Sequence, residues 1–189
     1  LSSEQRLIGR GVSACAVCDG LFFKNKKVVV VGGGDTAMRE ANYLSKLCKQ
    51  VIVIHRRDSL RAQNALQKIV KSKKNIKFMW NSIVEEVLGE TKVEGLKLKN
   101  TQNKKISKLQ VDGVFIAIGH QPNNGFLKGQ IALDKKGYVV VKNETQTNTP
   151  GVFAAGDAAD FHYRQAVTAA GAGCKAAFDV EEYLENLKD

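Results

Sequence analysis

The chain has 189 residues, 43% of them hydrophobic and 25% charged, with a net charge of +10, the balance of a globular protein of one or two domains at ~100–200 residues each. No apolar run approaches the ~18–20 residues of a membrane helix and no charged-then-apolar leader precedes the first strand, so a soluble, cytoplasmic protein without membrane association is expected. The positive charge favours acidic partners, but the lysines fall in short clusters (Lys24 to Lys27, Lys71 to Lys74, Lys104-Lys105) without interleaved aromatics, which argues for a solvated surface and against a nucleic-acid platform.

The sequence opens on Leu1 and a polar stretch with no initiation signal, as expected of the middle and end of a longer polypeptide. Residues 1–10 read as a hinge or linker. Cys15-Ala16-Val17-Cys18-Asp19 follows, and its C-x-x-C spacing suits two thiols that close a small ring in thiol–disulfide exchange. Half of a zinc site is the competing reading, but it needs two more ligands. Cys48 falls in a predicted helix, Cys174 lies far away, and no histidine pair is local. No metal is therefore expected, and four cysteines are too few and too unevenly spaced for a secreted disulfide framework. Asp19 is either a polar turn residue or the proton donor to a departing thiolate.

Lys27 to Val31 is a short β-branched strand, and Thr36 to Cys48 repeats Ala37, Ala41, Leu44 and Cys48 at helical spacing. Between them lies Gly32-Gly33-Gly34-Asp35-Thr36-Ala37, which matches G-x-G-x-x-[GA] in the strand–turn–helix context that gives this pattern its meaning. Gly32 allows the tight turn, Gly34 the close approach of a pyrophosphate, and the helix start supplies its positive end. Val51 to Ile54 reads as a second parallel strand covered on both faces. At its end, where an NAD-selective site carries an acid for the ribose hydroxyl, stand His55, Arg56 and Arg57, with Arg61 about one turn later. Guanidinium groups recognise phosphate bidentately, so the pattern points to a 2′-phosphate and hence to NADPH.

Leu60 to Lys71 reads as a surface helix, Ile76 to Trp80 as a third strand, and the alternation in Ile83 to Leu88 and Val93 to Lys99 as an antiparallel meander before a buried strand over Gly113 to Ile118. Gly119 to Gly125 marks a boundary. Beyond it, strands are expected over Tyr138 to Val141 and Val152 to Ala154, then the corner Gly156-Asp157. A long helix follows, from near Arg164 or Gln165 to about Leu187, with small residues on one face. These last ~65 positions lack a glycine-rich turn of their own, which is thin for an independent nucleotide-binding domain.

The run Gly9 to Gly20 with its two cysteines, the glycine turn, His55-Arg56-Arg57 with Arg61, Ala117 to Pro122, Gly151 to Asp157 and Tyr163-Arg164-Gln165-Ala166 occur together and in order. In this the chain resembles the bacterial-type, low-molecular-weight thioredoxin reductases. The resemblance implies an α/β fold: a Rossmann-like, three-layer NADPH domain over residues 11–119 that carries the redox pair and an antiparallel meander. Residues 120–189 would form the C-terminal portion of a second, FAD-binding Rossmann-like domain. The family's amino-terminal flavin-binding glycine turn has no counterpart in these residues, so the resemblance is to a reductase lacking the N-terminal part of its FAD domain.

The same resemblance implies an NADPH-dependent thioredoxin-disulfide reductase, homodimeric when intact, in which electrons pass from NADPH through FAD to Cys15–Cys18 and on to thioredoxin. Cys18 would be the flavin-proximal thiol, Cys15 the one that attacks thioredoxin, and Asp19 the proton-transfer group. NADPH would be held by Gly32, Gly33, Gly34, Asp35, Thr36, His55, Arg56, Arg57, Arg61, Ile118 and Gly119. FAD would be held by Gly156, Asp157, Arg164, Gln165 and Ala166, and Arg10 would help dock thioredoxin. Many relatives have Thr where this chain has Val17, a change expected to tune the thiols. Two rivals remain at this point: a ferredoxin- or flavodoxin-type flavin reductase, which would lack the dithiol, and a non-catalytic NADPH-binding module.

Overall fold

The computed structural model describes residues 1–127 and 129–187; Lys128, Lys188 and Asp189, which fall within the expected 120–189 domain, lie outside the described residues. The chain divides into two compact units, Leu1–Gly119 and His120–Asp189.

The first unit opens with α1 (Ser2–Arg6), β1 (Val12–Ser13) and α2 (Ala16–Asp19), followed by a 3-10 turn over Gly20–Phe23. Next come β2 (Lys27–Val31), α3 (Asp35–Leu44), β3 (Gln50–Ile54), α4 (Asn64–Lys71) and β4 (Ile76–Met79), then β5 (Ser82–Leu88), β6 (Gly95–Asn100), β7 (Ile106–Gln110) and β8 (Gly113–Ile116). Strands β1-β8-β2-β3-β4, in that spatial order, form one parallel sheet, and β5-β6-β7 form an antiparallel one.

The β-branched runs explain the layering, because successive side chains of a strand point to opposite faces. Val28, Val30, Val51, Val53 and Phe115 pack with Ala37, Met38, Ala41 and Leu44 of α3 on one face. Val29, Ile52, Ile54 and Val114 pack with Val87, Leu96 and Leu98 of the antiparallel sheet on the other. Both faces of β2 and β3 are therefore dry, as their unbroken apolar runs require. Leu7, from the stretch read as a linker, is fully buried in the second of these clusters, a burial that contributes about 1.5–3 kcal/mol. The Ser3 hydroxyl also accepts the Val87 N–H.

Several element ends differ from expectation. The helix predicted from Leu60 starts only at Asn64, because the N–H groups of Arg61 and Ala62 donate to the Gly33 carbonyl and that of Gln63 to Asp35. Helix α3 stops at Leu44: the Leu47 and Cys48 N–H groups both turn back onto the Leu44 carbonyl. Strand β7 adds to the expected meander: only Leu109 of its residues packs on the core, so its pattern carries little apolar signal.

The second unit contains the 3-10 turns Gly125–Leu127 and Gly156–Ala158 and the helix α5 (Ala166–Glu185). The strands expected at Tyr138 to Val141 and Val152 to Ala154 are replaced by isolated bridges, Leu133 with Val139 and Gln146 with Phe153. The Leu133–Val139 bridge is closed by the Val140 N–H on the Ala132 carbonyl and the Asp134 N–H on the Tyr138 carbonyl, while the Val139 N–H donates to the Ala158 carbonyl. Thr145 is fully buried and its hydroxyl donates to Asp179 of α5, while the buried Asn124 amide bridges the Gly137 and Ala158 carbonyls.

Candidate functional site

Strand order reverses across β2 in the parallel sheet, with β8 on one side and β3 on the other, and ligands of such sheets bind beyond the carboxyl ends of the strands at that point. A cleft of 550 Å³ lies there in the first unit. The glycine turn leaving β2 forms its floor. At Gly32 φ is +152°, and a side chain would strike the Ala117 carbonyl, so this glycine lets the ends of β2 and β8 approach. Nothing lies within 4 Å of where a Cβ on Gly34 would stand. No side chain caps the first turn of α3, so its N–H groups face the turn, a ready anion site.

Of the residues predicted to hold the nicotinamide cofactor, Gly32, Gly33, Gly34 and Thr36 line this cleft, as do His55, Arg56, Arg61, Ile118 and Gly119. Asp35 and Arg57 are not among its lining. The Asp35 carboxylate instead accepts the Gln63 N–H at 2.8 Å, which ties the helix start to the arginine loop. His55 is buried at 6% exposure while Arg56, Arg57 and Arg61 are exposed. Burial lowers the His55 pKa, a hydrogen bond with the Ser59 backbone opposes this, and the three arginines lower it further. The arginine loop is braced from the other sheet as well: the Asn81 N–H donates to the Arg57 carbonyl and the Thr101 N–H to the Asn81 carbonyl.

Val31, Ile54 and Ile116 also line the cleft, together with Ser82, Ile83, Val84 and Val87 from β5. The first three stand at strand carboxyl ends, where the switch-point rule could have found them. Those on β5 carry no sequence signal, since only the fold brings the second sheet under the first.

Cys15 and Cys18 form a disulfide. Cys15 caps the short helix α2, and its sulfur accepts the Cys18 N–H at 3.2 Å. Cys18 is exposed, and Asp19 follows it half-buried at the end of α2. None of these three residues is among those lining the glycine-turn cleft. Val17, Leu21 and Phe22 beside the disulfide are 62%, 66% and 75% exposed, an apolar patch of the kind that marks interaction sites. The sequence signal for it is the Leu-Phe-Phe run after Gly20. Arg10 is exposed in the same unit. The other two cysteines are free: Cys48 is buried, with its thiol raised to about 11, and Cys174 is exposed.

In the second unit, Asp157 and Arg164 share a 450 Å³ cleft with His120. Burial and then Arg164 lower the His120 pKa, and Asp157 opposes them. Gly156 lines a different cleft with Tyr163 and Thr168, and Gln165 and Ala166 form the cap and first residue of α5. An arginine and a carboxylate in one cleft suit a ligand that carries both phosphate and hydroxyl groups. Among the described residues no helix is long and apolar enough to cross a membrane.

A model of the family "Pyridine nucleotide-disulphide oxidoreductase" matches residues 2–173. The chain is 52% identical over 190 residues to a thioredoxin reductase of Streptomyces coelicolor, covering 100% of this chain and 59% of that protein. It is 51% identical over 198 residues to one of Coxiella burnetii, covering 99% and 61%. Among solved structures it resembles a thioredoxin reductase from Streptococcus pyogenes, with a TM-score of 0.88 and 41% identity over 94% of this chain and 58% of that one. A thioredoxin reductase from Giardia duodenalis gives 0.88 and 43%, over 97% and 60%. The chain thus spans about three fifths of the length of the relatives it matches.

Proposed function

This chain belongs to the pyridine nucleotide-disulphide oxidoreductase family, and from that premise we propose that it carries the NADPH site and the redox disulfide of a thioredoxin-disulfide reductase. The carrying observation is that the Cys15–Cys18 disulfide and a cleft floored by a glycine turn and edged by Arg56 and Arg61 occur in one compact unit. The first turn of α3 and Gly34 would accept the pyrophosphate, and Arg56, Arg61 and Arg57 the 2′-phosphate. Asp157, Arg164 and the start of α5 would hold part of the flavin nucleotide.

When bound, the nicotinamide and flavin supply the electron pair that reduces the disulfide to two thiols. The chain's own residues then do the exchange. A Cys15 thiolate, stabilised by the Cys18 N–H, attacks a sulfur of the partner's disulfide and expels the other as a thiolate. Asp19 delivers to that leaving sulfur the proton it took from Cys15 and takes another from the Cys18 thiol. The Cys18 thiolate attacks Cys15, re-forming the Cys15–Cys18 bond and breaking the mixed disulfide, and the partner sulfur it expels takes the proton held by Asp19, which completes the partner's dithiol. Val17, Leu21 and Phe22 offer the partner an apolar seat, and Arg10 an attraction for acidic surface. The resemblance further leads us to propose thioredoxin as that partner, and a homodimer acting in the cytoplasm.

The test is NADPH-dependent reduction of a thioredoxin disulfide by a protein carrying these residues, lost in Cys15→Ser and Cys18→Ser. Failure of the unaltered protein with flavin bound would defeat the proposal. The chain's length relative to its relatives favours a second reading for the 189 residues alone, an NADPH-binding module without turnover. A colourless protein that binds NADPH would support it, whereas flavin absorbance would count against it.

A further inference from the structure

The arginines account for recognition of a 2′-phosphate but leave His55 without an evident task. It is the most buried member of the basic cluster, at 6% exposure, and its Nε2 has no hydrogen-bond partner and no contact with solvent. A cation that met the phosphate would sit at the surface of the cleft with its donors free. The ring instead occupies the place where a side chain of Gly33 would project: a Cβ built there would collide with Cε1, Nδ1 and Nε2 together. The imidazole therefore fills the space beneath the middle glycine of the turn, with its Nε2 closed to solvent.

The surroundings show what this filling fixes. On its other side the Gly33 carbonyl accepts the N–H groups of Arg61 and Ala62, at 2.8 and 3.1 Å. Behind the ring stands Trp80, edge-to-face with ring centroids 6.4 Å apart. The His55 backbone is pinned as well, its N–H on the Met79 carbonyl and its own carbonyl accepting from Ser82. The Gly33 peptide is thus held between a rigid ring and the arginine loop, and three arginines together with burial disfavour a charge on that ring.

We infer that His55 is a positioning residue: its imidazole supports the Gly33 peptide from beneath and sets the glycine turn against the arginine loop, without itself contacting the 2′-phosphate. This rests on the proposed dinucleotide site and assigns His55 a role different from that of its arginine neighbours. A residue that shapes the turn serves every dinucleotide equally, while a phosphate ligand serves only the phosphorylated one.

The experiment compares the 189-residue chain with His55→Ala and His55→Phe, measuring dissociation constants for NADPH and NADH by nicotinamide fluorescence and checking folding by thermal unfolding. Removing the ring leaves a void into which the turn relaxes. His55→Ala should weaken both cofactors about tenfold with their ratio unchanged, a loss of ~1.4 kcal/mol for each. His55→Phe, which restores a ring without nitrogen atoms, should recover most of that loss. A loss confined to NADPH would make His55 a phosphate ligand and overturn the inference. An equal loss in His55→Ala and His55→Phe would assign the effect to a nitrogen contact and overturn it too, as would undiminished binding in His55→Ala. Should the alanine variant fail to fold, recovery or loss in the phenylalanine variant still decides. If the unaltered chain binds neither cofactor, it is the dinucleotide reading that falls.

Discussion

The Arg61 N–H donates to the Gly33 carbonyl at 2.8 Å, so the loop that carries the guanidinium groups is bonded through its backbone to the turn that would cradle a pyrophosphate. The Gln63 N–H makes the parallel connection to the Asp35 carboxylate, at the first residue of α3. The glycine turn and the arginine loop, about one βαβ unit apart in sequence, are in this way fixed against each other. On the proposed reading, a dinucleotide would meet the glycine turn and the guanidinium groups in one fixed arrangement.

Arg56 and Arg61 line the cleft and Arg57 does not. Loss of a charge-assisted phosphate contact costs roughly 1–3 kcal/mol. Arg56→Ala and Arg61→Ala should each weaken NADPH binding by about that amount and leave NADH binding nearly unchanged, with a smaller effect in Arg57→Ala. Titration calorimetry of both cofactors against each variant checks this. Equal losses for NADPH and NADH would remove the 2′-phosphate assignment.

Gly33 does not need its missing side chain for backbone reasons; the obstacle to one is the His55 ring. Gly33→Ala should therefore destabilise the unit by about 1–3 kcal/mol through overpacking. Because His55→Ala vacates the same space, the double variant should be less destabilised than the two single changes summed, a coupling of at least ~0.5 kcal/mol. Chemical denaturation of the four proteins reads the coupling, and strict additivity would show that ring and turn do not press on each other.

What was legible in the sequence follows from how local each feature is. The glycine turn, the β-branched strands and the arginine cluster are specified within a few residues, so the parallel sheet and one wall of the cleft could be read directly. Strand β5, which forms the opposite wall, and Leu7, which enters the core from the expected linker, owe their places to the second sheet packing across Val29, Ile52 and Val114. That packing joins residues far apart in the chain: the alternation in Ile83 to Leu88 marks a strand with one covered face but not what covers it. Helix α4 starts late for the same reason: Leu60 to Lys71 has helical spacing, but the amides of Arg61 and Ala62 are claimed by Gly33. In the second unit, Tyr138 to Val141 and Val152 to Ala154 read as short strands, yet a strand needs a neighbour as well as a pattern. Among the described residues those segments meet only bridges and loops.

The four cysteines should separate by chemistry. Cys15 and Cys18 are joined, Cys174 is exposed, and Cys48 is buried with its thiol raised to about 11 by desolvation. The thiolate is the reacting form. Alkylation of the folded chain near pH 8 should therefore add one group, at Cys174, and after mild reduction three, with Cys48 reacting only on unfolding. Intact mass spectrometry counts the additions. Rapid modification of Cys48 in the native chain would contradict its burial, and three additions without reductant would contradict the disulfide.

Asp160 organises the entry to α5. Its carboxylate accepts the N–H groups of His162 and Tyr163 at 2.8 and 2.9 Å, that of Arg164 at 3.0 Å, and the Thr168 hydroxyl at 3.5 Å. Burial raises its pKa, but the bonds from Tyr163, Arg164, His162 and Thr168 together outweigh burial and bring it below the ordinary 3.8. A carboxyl whose folded pKa is depressed stabilises the fold fully above the unfolded value and loses that contribution as pH falls through the folded one. The second unit should therefore be insensitive to pH between neutrality and about pH 5 on account of this group, and weaken below pH 4. Asp160→Ala removes the acceptor from three backbone donors and should cost ~1–2 kcal/mol at neutral pH, as loss of a capping side chain does. Denaturation followed by far-ultraviolet circular dichroism from pH 7 to pH 3 tests both statements. The variant should show a shallower acid loss than the unaltered chain, and parallel pH profiles would mean that Asp160 carries none of it.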